Sequence, residues 1–124
     1  MAGRDKLVLV VDDDVELQGM VQTLLNGAGY RVATATDGGQ ALEKVEQEMP
    51  NLILLDMKMP GMDGWKFARE FRARHNRSVP IVVVTAAEDA RKRAEEVGAE
   101  GHLGKPFEID ELLHLVEQSL GART

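Results

Sequence analysis

NLILLDMKMPGMDG, residues 51–64, joins an apolar run to a carboxylate and then to a tight turn. Leu52, Ile53, Leu54 and Leu55 are apolar at every position, the pattern of a strand covered on both faces, as in a parallel sheet. Asp56 ends the run, Pro60 and Gly61 demand a turn, and Gly64 lets backbone pass close to a neighbour. A carboxylate at the carboxyl end of a buried strand, followed by a tight loop, is where open α/β sheets place their chemistry. For one strand alone, an Asp56 that merely caps the next turn is the plainer reading. Three other strand-like runs that end in the same way change the balance.

Working outward, LVLVV at residues 7–11 is a second all-apolar run and leads straight into Asp12, Asp13 and Asp14. Leu17, Met20, Val21, Leu24, Leu25 and Ala28 then recur at helical spacing and predict a first helix, stopped by Gly27 and Gly29. Residues 30–34 alternate loosely and are partly β-branched, which predicts a second strand. Asp37 with Gln40 three residues on has the form of a capping box for a second helix, whose Ala41, Leu42, Val45 and Met49 face the core. Phe67, Ala68 and Phe71 mark a third helix that runs out at Arg74, His75 and Asn76. IVVV at residues 81–84 is a third all-apolar strand and ends in Thr85. A fourth helix turns Ala90, Ala94 and Val97 inward, carries Arg91, Lys92 and Arg93 outside, and stops at Gly98. A brief strand over residues 101–104 delivers Lys105 and Pro106. Ile109, Leu112, Leu113, Val116 and Leu120 stripe the last helix, with Glu108, Asp110 and Glu111 in the first turn, where the helix dipole favours acids. Five strands alternating with five helices through short connections imply right-handed βαβ crossovers and a parallel sheet covered on both sides.

The 124 residues are expected to form one domain with a core over about residues 6–120. A net charge of −6 argues against direct contact with nucleic acid or an anionic membrane. Cysteine is absent, which removes disulfides, thiolate metal sites and thiol nucleophiles. No targeting stretch or membrane-length apolar run is present, so a soluble cytoplasmic protein is expected.

In such a sheet every strand points the same way, so Asp12, Asp13, Asp56, Thr85 and Lys105 gather on one edge. Three carboxylates brought together repel, each pair by roughly 4 kcal/mol at about 4 Å and an effective dielectric near 20. A hard divalent cation relieves that repulsion, and ligands that are all oxygen suit Mg²⁺ better than Zn²⁺. A cation, an ammonium and a hydroxyl around one carboxylate also match the needs of a phosphoryl group. Lys105 would hold one phosphoryl oxygen and the Thr85 hydroxyl or nearby N–H groups another, with Asp56 as the nucleophile that forms an aspartyl phosphate. Taken singly, Asp12 to Asp14 reads as a helix cap, Lys105 as a solvated lysine and Thr85 as a turn residue. Together, at four strand ends in the right order, those plain readings become the weaker ones.

VVDDD at residues 10–14, LLDMKMPGMDG at 54–64, VVTAA at 83–87 and GKPF at 104–107 are specific motifs, and through them nearly the whole chain resembles the receiver domain of two-component response regulators. The resemblance implies the chemotaxis-regulator-like version of the α/β flavodoxin-like fold: a doubly wound, five-stranded parallel (βα)5 sheet in the order 2-1-3-4-5. It implies that Asp56 is the phosphoacceptor, that Asp13 binds Mg²⁺ directly and Asp12 mainly through water, and that the main-chain carbonyl of Lys58 also reaches the metal. Thr85 and Lys105 would contact the phosphoryl group, and the Lys105–Pro106 bond would be cis. The protein would not be a conventional enzyme, although it would assist its own phosphorylation and dephosphorylation.

The match is imperfect in places. The family carries Tyr or Phe three residues before the lysine, as a switch that swings inward when the threonine is drawn to phosphate; here that residue is His102, which adds an ionisable group and suggests pH-dependent switching. An exposed imidazole with no such role is the competing reading of His102. Lys58 and Ala87 fill the family's variable positions two residues after Asp56 and Thr85, flanking the path of attacking water. A bulky Lys58 and an Ala87 unable to orient water imply slow self-dephosphorylation. Trp65 is expected to pack at the start of the third helix, with its fluorescence a possible report of Mg²⁺ binding.

A sensor histidine kinase or phosphotransfer protein would supply the phosphoryl group, and a downstream protein target would read the surface of the fourth helix, fifth strand and fifth helix. A phosphorylation-dependent dimer through the fourth-helix face is compatible with this. With no output module after Leu120, the chain reads as a stand-alone receiver or a piece of a larger regulator. Three alternatives carry less. A flavin or nucleotide binder needs a phosphate loop where Asp12 to Asp14 would repel one. A Mg²⁺-dependent phosphatase lacks a cap domain or substrate pocket, and a receiver working without phosphorylation would not need the full set of acids, Thr and Lys.

Overall fold

The computed structural model describes residues 6–75 and 79–121. Five strands, β1 (Leu7–Val11), β2 (Arg31–Ala35), β3 (Leu52–Leu55), β4 (Ile81–Ala86) and β5 (Gly101–Lys105), alternate with α1 (Val15–Gly27), α2 (Gly38–Gln47), α3 (Gly64–His75), α4 (Ala87–Val97) and α5 (Ile109–Gly121). All pairings are parallel and the order is β2-β1-β3-β4-β5, as the resemblance implied. β1 and β3 are buried along their full length, which is why they read as unbroken apolar runs. Because side chains alternate across the sheet, Leu9, Val11, Ile53, Leu55, Ile81 and Val83 pack beneath α2, α3 and α4, while Val8, Val10, Leu52, Leu54, Val82 and Val84 pack beneath α1 and α5.

The helix starts follow from their caps. Asp14 accepts from the Leu17 N–H, Asp37 from Gln40 and Asp63 from Lys66. The Asp37–Gln40 pair is not a closed capping box, because the Gln40 side chain accepts from Thr36, through both its N–H and its hydroxyl, rather than from Asp37. At α5, Glu111 reaches back to the Glu108 N–H.

Three expected details differ. β2 is shifted by one residue, from Arg31 to Ala35, β5 extends to Lys105, and β4 to Ala86. Met20, Met49 and Ile109 do not face the core; they are 43, 40 and 49% exposed. Met49 lies past the end of α2, and Met20 and Ile109 sit at the rims of stripes that Val21 with Leu25 and Leu112 with Val116 already fill. Arg93 is not purely outward, because it lies over the Trp65 ring at 5.3 Å. Asn76, expected to end the third helix, falls outside the described residues.

Candidate functional site

β1 and β3 are neighbours with Val11 opposite Leu55, so the next residue of each strand, Asp12 and Asp56, emerges side by side. The Asp56 N–H donates to the Val11 carbonyl at 2.9 Å, which carries the register one step beyond the strands. Asp12, Asp13 and Asp56 each present a carboxylate oxygen, and these oxygens lie within 4.8 Å of one another. Asp12 and Asp56 are buried, whereas Asp13 is exposed. Lys105, delivered by β5 from the far side of β4, places its Nζ 2.8 Å from Asp12 Oδ2 and 3.7 Å from Asp56 Oδ2. Asp12 is the closer partner, so in this state the lysine is held by Asp12 rather than by Asp56.

Thr85 is buried one residue before the end of β4, in register with Gly104. His102 pairs with Val83 on the same face of the sheet, towards α4, and its side chain is exposed. The Lys105–Pro106 peptide is cis.

Electrostatics in the cluster are uneven. Burial pushes the Asp56 carboxyl up from its ordinary value; Lys105 pulls it down, Asp12 pushes it up, the Lys58 backbone N–H pulls it down by hydrogen bonding, and Asp13 pushes it up. The main chain of Lys58 is therefore beside the carboxylate, although its side chain is exposed. The loop after Asp56 is fitted tightly. A Cβ on Gly64 would stand 2.7 Å from Met57 Cα and 2.8 Å from the Asp56 carbonyl, and one on Gly38 would stand 2.6 Å from Met62 Cγ. Glycine at those places lets α3 and α2 close on the loop, and buried Met57 and Met59 anchor it from below.

The role of Gln18 and one contact of Trp65 were not anticipated. Gln18 is only 8% exposed, and its amide donates to the carbonyls of Asp12 and Ala35. Its sequence signal is a polar residue in helical phase with Val21 and Leu25. Trp65 does pack against the core, but it also donates from Nε1 to Glu96 on α4 at 2.8 Å, a contact across 31 residues that no local pattern announces.

A parallel five-stranded α/β sheet with an acid cluster and a lysine at its carboxyl edge has its chemistry where open parallel sheets carry their sites. Residues 8–117 match the family model of the response regulator receiver domain, and the chain belongs to that family. It is 36% identical over 115 residues to sporulation initiation phosphotransferase F of Bacillus subtilis, covering 91% of this chain and 92% of that protein. It is 37% identical over 116 residues to the DNA-binding transcriptional regulator NtrC of Escherichia coli, covering 92% of this chain but only 24% of NtrC. Among solved structures, it is similar to the receiver domain of the sensor histidine kinase PA1611 from Pseudomonas aeruginosa, which has a magnesium ion coordinated in its active-site cleft. That match has a TM-score of 0.85 and 34% identity, over 94% of this chain and 98% of the other. The chain is thus a receiver domain of two-component signalling, a phosphorylation-dependent switch. Among the described residues, no helix is long and apolar enough to cross a membrane.

Proposed function

We propose that Asp56 accepts the phosphoryl group, and that Asp12, Asp13 and the main-chain carbonyl of Lys58 hold a Mg²⁺ ion beside it. The observation that carries this is the convergence of three carboxylates within 4.8 Å of one another, with Lys105 Nζ against two of them. The donor set is oxygen only, contains no His or Cys, and carries more negative charge than one lysine neutralises, which fits a hard divalent cation. Bound there, Mg²⁺ would supply charge neutralisation to the phosphoryl oxygens.

An Asp56 carboxylate oxygen attacks phosphorus. A P–O bond forms, the bond from phosphorus to the donor breaks, and its electron pair leaves with the donor. Lys105 turns from Asp12 to a phosphoryl oxygen, and the Thr85 hydroxyl donates to another. His102, exposed on the same sheet face as Thr85, follows it, and the α4–β5–α5 surface changes as a result. The donor is a sensor histidine kinase or phosphotransfer protein, and a downstream protein reads the altered surface. The described chain acts as one such unit, a switch rather than a turnover enzyme.

Incubation with Mg²⁺ and acetyl phosphate, followed by intact-mass measurement, tests this. One phosphoryl adduct is expected, requiring Mg²⁺ and absent in Asp56→Asn. An adduct that persists in Asp56→Asn, or that forms equally well in chelator, overturns the assignment.

A further inference from the structure

We infer that Gln18 is a positioning residue for the metal-binding acids, acting through the backbone of Asp12; this rests on the Mg²⁺ reading of the site. The carbonyl that Gln18 Nε2 holds at 3.1 Å belongs to the peptide unit that joins Asp12 to Asp13. The same amide holds the Ala35 carbonyl at 2.9 Å, and that carbonyl accepts the Asp12 N–H at 3.0 Å. The peptide units on both sides of Asp12 are therefore tied to the end of β2, one directly and one through a side chain from α1.

The Asp12 carboxylate is held as completely. Its Oδ1 accepts from the Asp14 N–H at 2.9 Å and its Oδ2 from Lys105 at 2.8 Å. Asp13 differs: it is exposed, and its carboxylate takes no hydrogen bond from the described residues. Its side chain springs from the main chain next to the peptide unit that Gln18 holds, so the direction in which it sets out depends on that hydrogen bond. A cation that draws Asp12, Asp13 and Asp56 together meets an Asp13 already oriented, so less ordering is needed on binding. Partners that orient metal ligands in this way typically change affinity by about 10- to 100-fold when removed.

Gln18 earns no such role from stability alone, since a buried amide donating to two carbonyls also supports the fold. The test separates the two. Gln18→Met keeps the length and apolar volume but removes both donors, and Val21→Ala, on the same helix face and buried, weakens packing without removing a hydrogen-bond donor. Mg²⁺ affinity is measured by calorimetry on the full chain, with the melting temperature beside it. Gln18→Met is expected to raise the Mg²⁺ dissociation constant about tenfold. Val21→Ala is expected to lower the melting temperature while leaving that constant within about twofold of wild type. A Gln18→Met protein that melts earlier yet binds Mg²⁺ as wild type does overturns the inference and leaves the metal reading standing. A wild-type protein that takes up no Mg²⁺ overturns both. Should Gln18→Met not fold, nuclear magnetic resonance on the wild type decides. The Gln18 side-chain amide signals shift with the same midpoint as the Asp13 amide during a Mg²⁺ titration if Gln18 is coupled to the site; signals that stay still throughout refute the coupling.

Discussion

Replacing Asp56 with Asn should make the protein more stable, not less, because the site holds charge that the fold does not relieve by itself. At an effective dielectric near 20, Lys105 attracts Asp56 by about 4.5 kcal/mol across 3.7 Å, while Asp12 and Asp13, with oxygens within 4.8 Å, each repel it by about 3.5 kcal/mol or more. Solvent around exposed Asp13 reduces its share by roughly half, so the charges nearly balance and the removal of Asp56 from water tips the sum. Asn keeps the shape and loses the charge, and the expected gain near neutral pH is about 1–2 kcal/mol, or about 4–8 °C in melting temperature for a chain of this size.

The pH dependence has a definite sign. Burial, first, and then the neighbouring acids raise the Asp56 carboxyl above its ordinary value of 3.8, so the folded state binds this proton more tightly than the unfolded state does. Wild-type stability from this group is therefore lost as pH rises from the ordinary carboxylate range through the raised value, and the loss is complete above it. Asn cannot titrate, so the gap between variant and wild type opens across that window and closes below it. Urea denaturation of both proteins at a series of pH values, without divalent cations, reads the gap directly. Adding Mg²⁺ should narrow it by stabilising the wild type more. An Asp56→Asn protein that is equal or less stable at neutral pH refutes the argument.

Gly104→Ala forces a methyl group to within 2.6 Å of Ala87 Cα at the first turn of α4; it should cost about 1–3 kcal/mol in urea denaturation, and a change within about 0.5 kcal/mol would show that α4 yields freely. Lys58→Asn should shorten the lifetime of the phosphorylated form, followed by mass after acetyl phosphate is removed, because a smaller polar side chain admits and orients water; equal decay in parent and variant counts against it. Trp65 emission should change as pH falls through the Glu96 carboxyl, which the Trp65 N–H and Arg93 hold below its ordinary value, and Glu96→Gln should abolish that change; a transition that survives in Glu96→Gln assigns it elsewhere.

The strands β1, β3 and β4 could be read locally because a strand buried on both faces must be apolar at every position, so its end is marked by the first polar residue. That residue is Asp12 after β1 and Asp56 after β3, and in β4 it is Thr85, one residue short of the end; parallel topology then places all three on one edge without any knowledge of contacts. Lys105 could be assigned to the same edge by the same argument, and its family motif agreed. The sequence by itself therefore determined the sheet, its order through the resemblance, and the membership of the acid, hydroxyl and ammonium groups at its carboxyl end.

Only the tertiary structure decided how those groups meet. Whether Lys105 leans on Asp12 or on Asp56 depends on packing between residues 93 positions apart, and the structure gives it to Asp12. The rotation of α1 turns polar Gln18 inward and Met20 outward, because carbonyls at the ends of β1 and β2 offer an amide partners that a thioether could not use. Trp65 meets Glu96 and Arg93 for a similar reason: α3 and α4 pack side by side, and an indole N–H at their boundary takes the acceptor that the other helix presents. Periodicity marks which face of a helix is apolar over several turns, but at the rim of that face a single residue's place is set by what the opposite surface can bond.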